Sequence, residues 1–291
     1  MKILLTGADG FTGRQFAVAA RAAGHDVVAL QANLTDEAAM AQEVALVIPE
    51  AVLHLAAISF VGHADSSAFY AVNVVGTTNL LSALAALPQR ARRVLLASSA
   101  NVYGNCDASP ISEAQPPAPV NHYAMSKLAM EYMAMTYADQ LDLVITRPFN
   151  YTGPGQSENF VIPKLVEHFA RKAPSIALGN LDVKREFNDV QMVCSAYLQL
   201  LQHGEAGETY NVCSGQPYAL QHVIDTLTRI TGHTMQVGVN PALVRADEVH
   251  RLSGSPAKLQ ALLASKGCCL VHPSLEETLG QMLRAARSEN L

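Results

Sequence analysis

The stretch TGADGFTG, residues 6 to 13, lies between the apolar run Lys2–Thr6 and a helical pattern. Its three glycines, Gly7, Gly10 and Gly13, stand where a strand turns into a helix. Glycine suits this turn because the backbone must bend tightly, approach a bound diphosphate and let the helix pack on the strand. The free N–H groups at the start of the helix favour a negative charge. The stretch therefore predicts a dinucleotide-binding unit at the start of an α/β fold.

Apolar runs and helical patterns alternate through the first 150 residues. Uninterrupted apolar runs are typical of parallel strands that are covered by helices on both faces. We therefore predict a Rossmann-type, doubly wound parallel sheet. The predicted strands are 2–6, 26–30, 51–57, 93–99 and 143–149, and the predicted helices are 12–23, 35–47, 66–87 and 123–141.

The pattern changes after Asn150, where a loop with glycine and proline leads into shorter elements. A helix interrupted near Pro163 is predicted over residues 159–172, a strand over 209–213, and helices over 220–231 and 274–286. We predict a smaller, interleaved α/β substrate domain. In this interpretation the cofactor domain comprises residues 1–150 and about 186–214, and the substrate domain comprises 151–185 and 215–291.

Length and composition limit the class of protein. The chain has 291 residues, of which 49% are apolar and 15% charged, so a large core is expected. A net charge of −5 without a basic block makes nucleic acid an unsuitable partner. No apolar run approaches the roughly twenty residues of a membrane span. The 5 cysteines are scattered without metal-ligand spacing, which predicts no metal site and a reducing, cytoplasmic compartment.

A tyrosine and a lysine stand four residues apart in YAMSK, so Tyr123 and Lys127 share one face of a predicted helix. A neighbouring ammonium and an oxidised nicotinamide both favour the phenolate and lower the pKa of a tyrosine. Ser99, in SSANVYG at the end of a predicted strand, can hydrogen-bond the substrate oxygen. A tyrosine and a lysine four residues apart also occur by chance in helices. Here the pair follows the glycine loop and the strand that ends at Ser99, in the expected order, and this combination indicates carbonyl–alcohol chemistry.

Five motifs resemble those of the extended short-chain dehydrogenase/reductase family: TGADGFTG, HLAA (54–57), SSANVYG, YAMSK and RPFN (147–150). The resemblance covers nearly the whole chain. It implies Ser99, Tyr123 and Lys127 as the catalytic set, with NADPH or NADH as the cofactor. It also implies the residues that contact the cofactor, which are Gly7, Gly10, Phe11, Thr12, Gly13, Asn33, Leu34, Leu55, Ala56, Ala57, Tyr123 and Lys127.

The choice between NADH and NADPH stays open. The second predicted strand ends in Ala29-Leu30-Gln31, without the acidic residue that usually holds the ribose. A strand–helix unit of the family is also missing before the NLTD segment. Arg14 could approach a ribose phosphate or could equally face solvent.

Four segments of the second half resemble the branch of the family that handles GDP-mannose and its derivatives: GPGQSENFVIPK, GNLDVKREFNDV, ETYNVCSG and NPALVRADEV. Arginine suits a diphosphate because its planar fork binds two oxygens at once. A solvent-exposed role is the alternative for each basic residue, most readily for Lys164. The resemblance implies that GDP is held by Asn150, Val161 through its backbone, Lys164, Arg185, Arg245 and Glu248.

Asn101 stands two residues after Ser99, where related dehydratases carry a carboxylate. An amide cannot shuttle a proton at neutral pH, so dehydration is disfavoured. We predict reduction of the C4 ketone of a GDP-4-keto-6-deoxyhexose, from GDP-4-keto-6-deoxy-D-mannose to GDP-D-rhamnose or its C4 epimer. Ser59 and Asn101 are predicted to contact the hexose. The alternatives are a nucleotide-sugar 4-epimerase with bound NAD and a non-catalytic dinucleotide-binding protein.

The helical patterns over 66–87 and 123–141 are apolar on more than one face. The family resemblance implies that they pair across a two-fold axis as a four-helix bundle, which predicts a homodimer. Ordinary packing of both helices on the sheet would explain the same pattern.

Overall fold

The computed structural model describes residues 1–59, 65–181, 183–244 and 251–289. The strands are β1 (Lys2–Thr6), β2 (Asp26–Ala29), β3 (Ala51–His54), β4 (Arg93–Ala97), β5 (Leu143–Pro148), β6 (Tyr151–Thr152), β7 (Ser175–Leu178), β8 (Lys184–Glu186), β9 (Asn188–Asp189), β10 (Thr209–Val212), β11 (Pro217–Ala219), β12 (Gln236–Val239) and β13 (Arg251–Leu252). The helices are α1 (Phe11–Ala22), α2 (Glu37–Val47), α3 (Ser66–Tyr70), α4 (Thr77–Ala85), α5 (His122–Met135), α6 (Val161–Ala170), α7 (Val190–His203), α8 (Leu220–Thr231), α9 (Ala257–Ser265) and α10 (Leu275–Glu289).

Within these residues, the central sheet has six strands in the order β2-β1-β3-β4-β5-β10. Every pair of neighbouring strands is parallel. The chain moves outward in opposite directions from β1 and β3, which creates a crevice at the carboxyl ends of these two strands. Ligands of open α/β sheets bind at such a reversal point. The predicted Rossmann-type parallel sheet is confirmed.

Both faces of the sheet are buried because successive strand residues point in opposite directions. Ile3 and Leu5 join the core that α1 and α7 form on one face. Leu4, between them, joins the core on the other face with residues of α2, α4 and α5. This alternation between two cores explains why the strands read as continuous apolar runs.

A second unit follows β5. A three-stranded sheet, β11-β8-β13, and a pair, β7 with β12, accompany α6, α8 and α10 in the described residues. These three helices share a core that includes Phe169, Leu227 and Leu279. The chain returns to the central sheet at β10, which pairs with β5. The division into cofactor and substrate domains at the predicted boundaries remains a proposal.

Three predicted helices differ from the structure. The helix near Pro163 is not interrupted, because Pro163 lies in the first turn of α6, where a missing N–H breaks no hydrogen bond. The helix predicted over 123–141 ends at Met135, and turns follow it. The pattern over 66–87 divides into α3, a π-helical segment (Ala71–Gly76) and α4.

One helical stretch, Ser66–Ala85, is long and apolar enough to cross a membrane by length and composition alone. This corrects the expectation that no stretch of the chain approaches that length. Leu80, Leu81 and Leu84 on this stretch belong to the core between the sheet and its flanking helices. Packing against that core accounts for the high hydropathy.

Candidate functional site

The glycine loop is shaped by contacts that admit no larger residue. A Cβ atom at Gly13 would lie 2.1 Å from the carbonyl oxygen of Gly7, and one at Gly7 would lie 2.8 Å from the amide nitrogen of Ala56. Gly7 also has a φ of +68°, which favours glycine. Helix α1 starts at Phe11 without a side-chain cap and without an acidic residue in its first turn. Free N–H groups beside a narrow backbone cradle fit a dinucleotide diphosphate.

A buried polar chain fixes the strand ends beside this loop. The hydroxyl of Thr77 donates to the carbonyl oxygen of Asn73 (2.7 Å), so it accepts from Nε2 of His54 (2.9 Å). Nδ1 of His54 then accepts from the hydroxyl of Thr6 (2.7 Å). The oxygen of Thr6 accepts the N–H groups of the two residues that follow His54 (3.1 and 3.0 Å). Two of the predicted cofactor residues, Leu55 and Ala56, are thereby held against the glycine loop, and Ala57 follows them directly.

The three predicted catalytic side chains meet at the carboxyl end of β4. Ser99 and Tyr123 are both buried, and the Ser99 side chain favours the ionised form of the phenol. The amide N–H of Asn101 donates to Oγ of Ser99 (3.2 Å), which orients this hydroxyl. Lys127 is buried one turn after Tyr123, and its Nζ donates to the carbonyl oxygen of Ala97 (2.8 Å). The structure therefore brings together the serine, tyrosine and lysine from two segments of the chain.

Burial controls the protonation of this set. It raises the pKa of Tyr123, and the Ser99 side chain opposes that shift. Burial lowers the pKa of Lys127 to about 8, and the charge of Glu131 opposes that shift. The direction for Tyr123 is opposite to the effect expected from a neighbouring ammonium, because the loss of solvent is the largest influence on its pKa. A protonated phenol beside a charged ammonium suits a proton donor.

Tyr151, which the sequence analysis missed, connects this set to the glycine loop. Its hydroxyl shares a hydrogen bond with Thr12 (2.8 Å), and its ring stacks on Phe11 with centroids 6.2 Å apart. Burial raises the pKa of Tyr151 to about 12, and Tyr123 contributes to the shift. An aromatic residue soon after a parallel strand was the signal in the sequence, since such positions line the crevice.

The end of β2 obtains an acidic group from α2. The carboxylate of Glu43 accepts the backbone N–H groups of Gln31 (2.9 Å) and Ala32 (2.6 Å). Asn33 is exposed, and Leu34 is buried beside Gly76. The sequence analysis looked for an acid at the strand end and missed one that reaches it from the following helix.

Arg14 lies at the mouth of the glycine loop. Its guanidinium donates to the carbonyl oxygens of Asp9 and Gly155. The side chain of Gln15 donates to the carbonyl oxygen of Pro154 (3.0 Å). The loop after β6 therefore packs on the start of α1, and Arg14 helps to hold it there.

The predicted hexose contacts lie at the edge of the described site. Asn101 is half-buried in the turn that follows Ser99. Ser59 is exposed and is the last described residue before the gap at 60–64. These positions are near the chain segments of the catalytic set, and their contact with a sugar remains a proposal.

The predicted GDP contacts are more scattered. Asn150 is exposed beyond β5, and Val161 is the first residue of α6. Nζ of Lys164 donates to the carbonyl oxygen of Ala177 (2.9 Å), so this ammonium lies over β7. Arg185 is buried in β8. Two further predicted contacts, Arg245 and Glu248, lie outside the described residues.

Glu186, next to Arg185, is a fully buried carboxylate that the sequence analysis did not single out. It accepts the N–H groups of Ser214 (2.8 Å) and Gly254 (2.6 Å) and the side-chain amide of Asn188 (3.1 Å). These donors come from three different segments of the chain, so Glu186 holds these segments together. In the part of the chain that is described, no three His, Cys, Asp or Glu side chains are placed to hold a metal ion.

Comparison with known proteins places this geometry in a family. The model of the NAD dependent epimerase/dehydratase family matches residues 3–213. The chain belongs to this family. Members of the extended short-chain dehydrogenase/reductase class are enzymes, so the chain is an oxidoreductase with NAD(P)H as its cofactor, as its motifs predicted.

Individual relatives cover nearly the same length. The chain is 35% identical over 270 residues to a GDP-6-deoxy-D-talose 4-dehydrogenase of Aggregatibacter actinomycetemcomitans, covering 91% of this chain and 92% of the relative. It is 38% identical over 253 residues to a GDP-6-deoxy-D-mannose reductase of Pseudomonas aeruginosa, covering 83% of both. A structure of RMD from Pseudomonas aeruginosa complexed with NADPH is 34% identical, with a TM-score of 0.90 and 99% of both chains covered. The predicted resemblance to the GDP-sugar branch is confirmed.

Proposed function

We propose that the chain reduces the C4 ketone of a GDP-4-keto-6-deoxyhexose, converting GDP-4-keto-6-deoxy-D-mannose to GDP-D-rhamnose with NAD(P)H. The observation that carries this proposal is the buried set of Ser99, Tyr123 and Lys127 at the end of β4, beside an amide at Asn101. The names of two relatives support the substrate class, since both are GDP-6-deoxyhexose enzymes. Their sugars differ in configuration at C4, so the C4 epimer, GDP-6-deoxy-D-talose, is the second product to test.

Each catalytic side chain has one task in this reduction. The glycine loop would hold NAD(P)H, which when bound would supply the hydride for C4. The hydroxyls of Ser99 and Tyr123 hold the ketone oxygen, and Tyr123 gives its proton to the alkoxide that forms there. Burial raises the pKa of Tyr123, which keeps this proton in place until the oxygen becomes basic. Lys127 would hold the nicotinamide ribose, and its ammonium adds a positive charge one helical turn from the phenol.

Asn101 separates reduction from dehydration. A dehydratase must remove a proton next to the ketone and help a hydroxyl group to leave, and both steps need a group that exchanges protons. The side chain of Asn101 is an amide, which donates and accepts hydrogen bonds without titrating. Together with Ser59 it is suited to binding hexose hydroxyls rather than to expelling one.

The nucleotide is proposed to lie along the second unit. Contacts to GDP are assigned to Asn150, the backbone of Val161, Lys164, Arg185, Arg245 and Glu248. Arginine and lysine would neutralise the diphosphate, and Glu248 would accept hydrogen bonds from guanine. For Lys164 this requires its ammonium to leave the carbonyl oxygen of Ala177.

The decisive assay gives purified protein GDP-4-keto-6-deoxymannose with NADPH or NADH and follows nicotinamide absorbance and the sugar product. We expect one cofactor to be oxidised for each ketone reduced. Tyr123→Phe should lower kcat by about 10³-fold and leave NADPH binding nearly unchanged, because only the proton donor is lost. Tyr132→Phe, on the exposed face of the same helix, is the matched control and should keep full activity.

Other outcomes identify the alternatives. Near-normal turnover by Tyr123→Phe would rule out the assigned proton donor. Interconversion of a nucleotide sugar without net loss of NAD(P)H would indicate the 4-epimerase. Tight dinucleotide binding without turnover of any keto sugar would indicate a non-catalytic protein.

We also propose a homodimer in the cytosol, formed through the helical stretch 66–85 and α5. Both elements carry exposed apolar side chains, including Val75, Met125 and Tyr132. Met125 and Tyr132 lie seven residues apart, so they share one face of α5. Pairing this face with its copy would bury it in a four-helix bundle.

A further inference from the structure

A buried ion pair lies one helical turn beyond the catalytic lysine. The carboxylate of Glu131 accepts two hydrogen bonds from Arg147, Nε to Oε1 at 3.0 Å and Nη2 to Oε2 at 2.6 Å. Glu131 is 5% exposed and Arg147 is 7% exposed. Removing two charges from water is costly, and such pairs often contribute little net stability. The presence of this ion pair beside the catalytic residues therefore needs an explanation other than stability.

Arg147 joins the two segments that carry the catalytic side chains. It lies on β5 and pairs with Glu131 on α5, the helix of Tyr123 and Lys127. Its guanidinium also lies over the ring of Tyr103, 4.9 Å from the centroid. Tyr103 ends the short turn that begins after Ser99. One side chain thus contacts both α5 and the Ser99 turn, and a shift of Arg147 would move these segments relative to each other.

The carboxylate of Glu131 also acts on the charge of Lys127. The two residues are four apart on α5, so their side chains share a face. Glu131 on α5 and His54 at the end of β3 interact electrostatically with Lys127, and Tyr123 precedes it by one turn of α5. Beyond Glu131 lie Arg147 on β5, which pairs with it, and Tyr103 in the turn after β4, whose ring Arg147 covers. Burial lowers the pKa of Lys127 to about 8, and among these groups it is Glu131 that raises it. His54 is neutral above pH 6, because burial lowers its pKa to about 3.

We propose that Glu131 and Arg147 are positioning residues of the reductase site: Arg147 holds α5, with Tyr123 and Lys127, against the Ser99 turn, and Glu131 keeps the Lys127 ammonium charged. The inference rests on the proposed function, because it assigns the pair to that same site. Arg147 fixes the carboxylate in place, and the carboxylate supplies the negative charge that a buried ammonium lacks.

Opposite effects of the two single substitutions test this inference. Rates of ketone reduction and NADPH dissociation constants are measured across roughly pH 6 to 10. In wild type, the rate of reduction should fall and the NADPH dissociation constant should rise as Lys127 loses its proton at high pH. Glu131→Gln removes the negative charge and leaves Arg147 unpaired, so this loss should move to lower pH by about one unit. Arg147→Gln leaves Glu131 unpaired, so the loss should move to higher pH.

Two further variants keep the test decisive. The double variant Glu131→Gln with Arg147→Gln removes both members of the ion pair, so neither is left buried without the other and the protein should fold. Its loss of activity and of NADPH binding should also occur at lower pH than in wild type. The control is Glu276→Gln, which breaks an equally bidentate Arg229–Glu276 pair on the exposed surface of α8 and α10. This control should leave the pH dependence unchanged.

A purely structural role gives a different result. If folded variants lose melting temperature or kcat while the pH dependence of NADPH binding stays at the wild-type position, the inference is wrong. The measurement of NADPH binding needs no sugar substrate. A wild type that reduces no keto sugar would therefore refute the proposed function and leave the inference about Lys127 testable.

Discussion

His54 shows how a single residue can organise the strand ends of the site. Its ring is fully enclosed and lies between two threonine hydroxyls, from Thr6 on β1 and Thr77 on α4. The carbonyl oxygen of Asn73 fixes the direction of this chain of hydrogen bonds, because it accepts the hydrogen bond that the Thr77 hydroxyl donates. The side chain of Asn73 continues to Ser126 on α5 (3.0 Å). The neutral histidine therefore connects the glycine loop to the catalytic helix.

The decrease in stability at acidic pH should reflect the burial of this neutral histidine. Burial lowers the pKa of folded His54 to about 3, whereas an unfolded histidine titrates near 6.5. Between these values the unfolded chain binds an extra proton, so the free energy of unfolding should fall by about 1.4 kcal/mol per pH unit on acidification. The contribution is fully present above about pH 6.5.

Chemical denaturation of wild type and His54→Gln at several pH values measures this slope. The variant should show a slope smaller by about one proton. His222→Gln, at an exposed histidine on α8, is the control and should keep the wild-type slope. Identical slopes for wild type and His54→Gln would contradict the assignment.

Secondary-structure elements can be predicted where adjacent residues alone determine the backbone conformation, and the β1–α1 unit is the clearest case. The strand, the three glycines and the start of the helix were predicted to within a residue, because each depends on local steric demands. Helix α5 was predicted six residues too long, since apolar residues continue to Leu141. They continue because the turns after Met135 also pack on the sheet, where Leu141 is buried. Periodicity reports burial, and it does not distinguish a helix from a buried turn.

Gly13→Ala tests the glycine cradle as an element. The added methyl would lie 2.1 Å from the carbonyl oxygen of Gly7, so either the loop or α1 must shift. We expect a loss of about 2 kcal/mol in the free energy of unfolding and at least about tenfold weaker NADPH binding. Gly238→Ala is the control, because a methyl there meets nothing within 4 Å. Calorimetric titration with NADPH and thermal melting measure both effects, and wild-type binding by Gly13→Ala would exclude the proposed diphosphate position.

At the scale of the whole molecule, the two units are held together by buried polar contacts. Asp189, at the start of α7, accepts the hydroxyl of Thr278 on α10 (2.7 Å). Glu186 ties β8 to the turn after β10, which itself belongs to the central sheet. Motion of one unit would break hydrogen bonds of fully buried groups, which is costly. The second unit is therefore firmly attached to the central sheet and to α7.

The proposed homodimer is tested by charge on its apolar face. Tyr132 is 68% exposed on α5. Tyr132→Asp should shift the protein from dimer to monomer in analytical ultracentrifugation, because a carboxylate cannot be buried in a bundle without a partner. Leu46→Asp is the control, at a side chain that is 77% exposed on α2. A Tyr132→Asp protein with the mass of wild type would refute the bundle, as would a monomeric wild type.

The amino-acid sequence by itself determined the dinucleotide loop, the parallel alternation and the spacing of Ser99, Tyr123 and Lys127. These features are local, because steric fit in a tight turn and the repeat of a helix or strand are set by adjacent residues. Only the tertiary structure decided that Tyr151 meets Thr12, 139 residues earlier, that Glu43 supplies the acid at β2, and that Glu131 pairs with Arg147. Such partners are brought together by the order of strands in the sheet. That order depends on which faces can be buried together, and no short stretch of sequence states it.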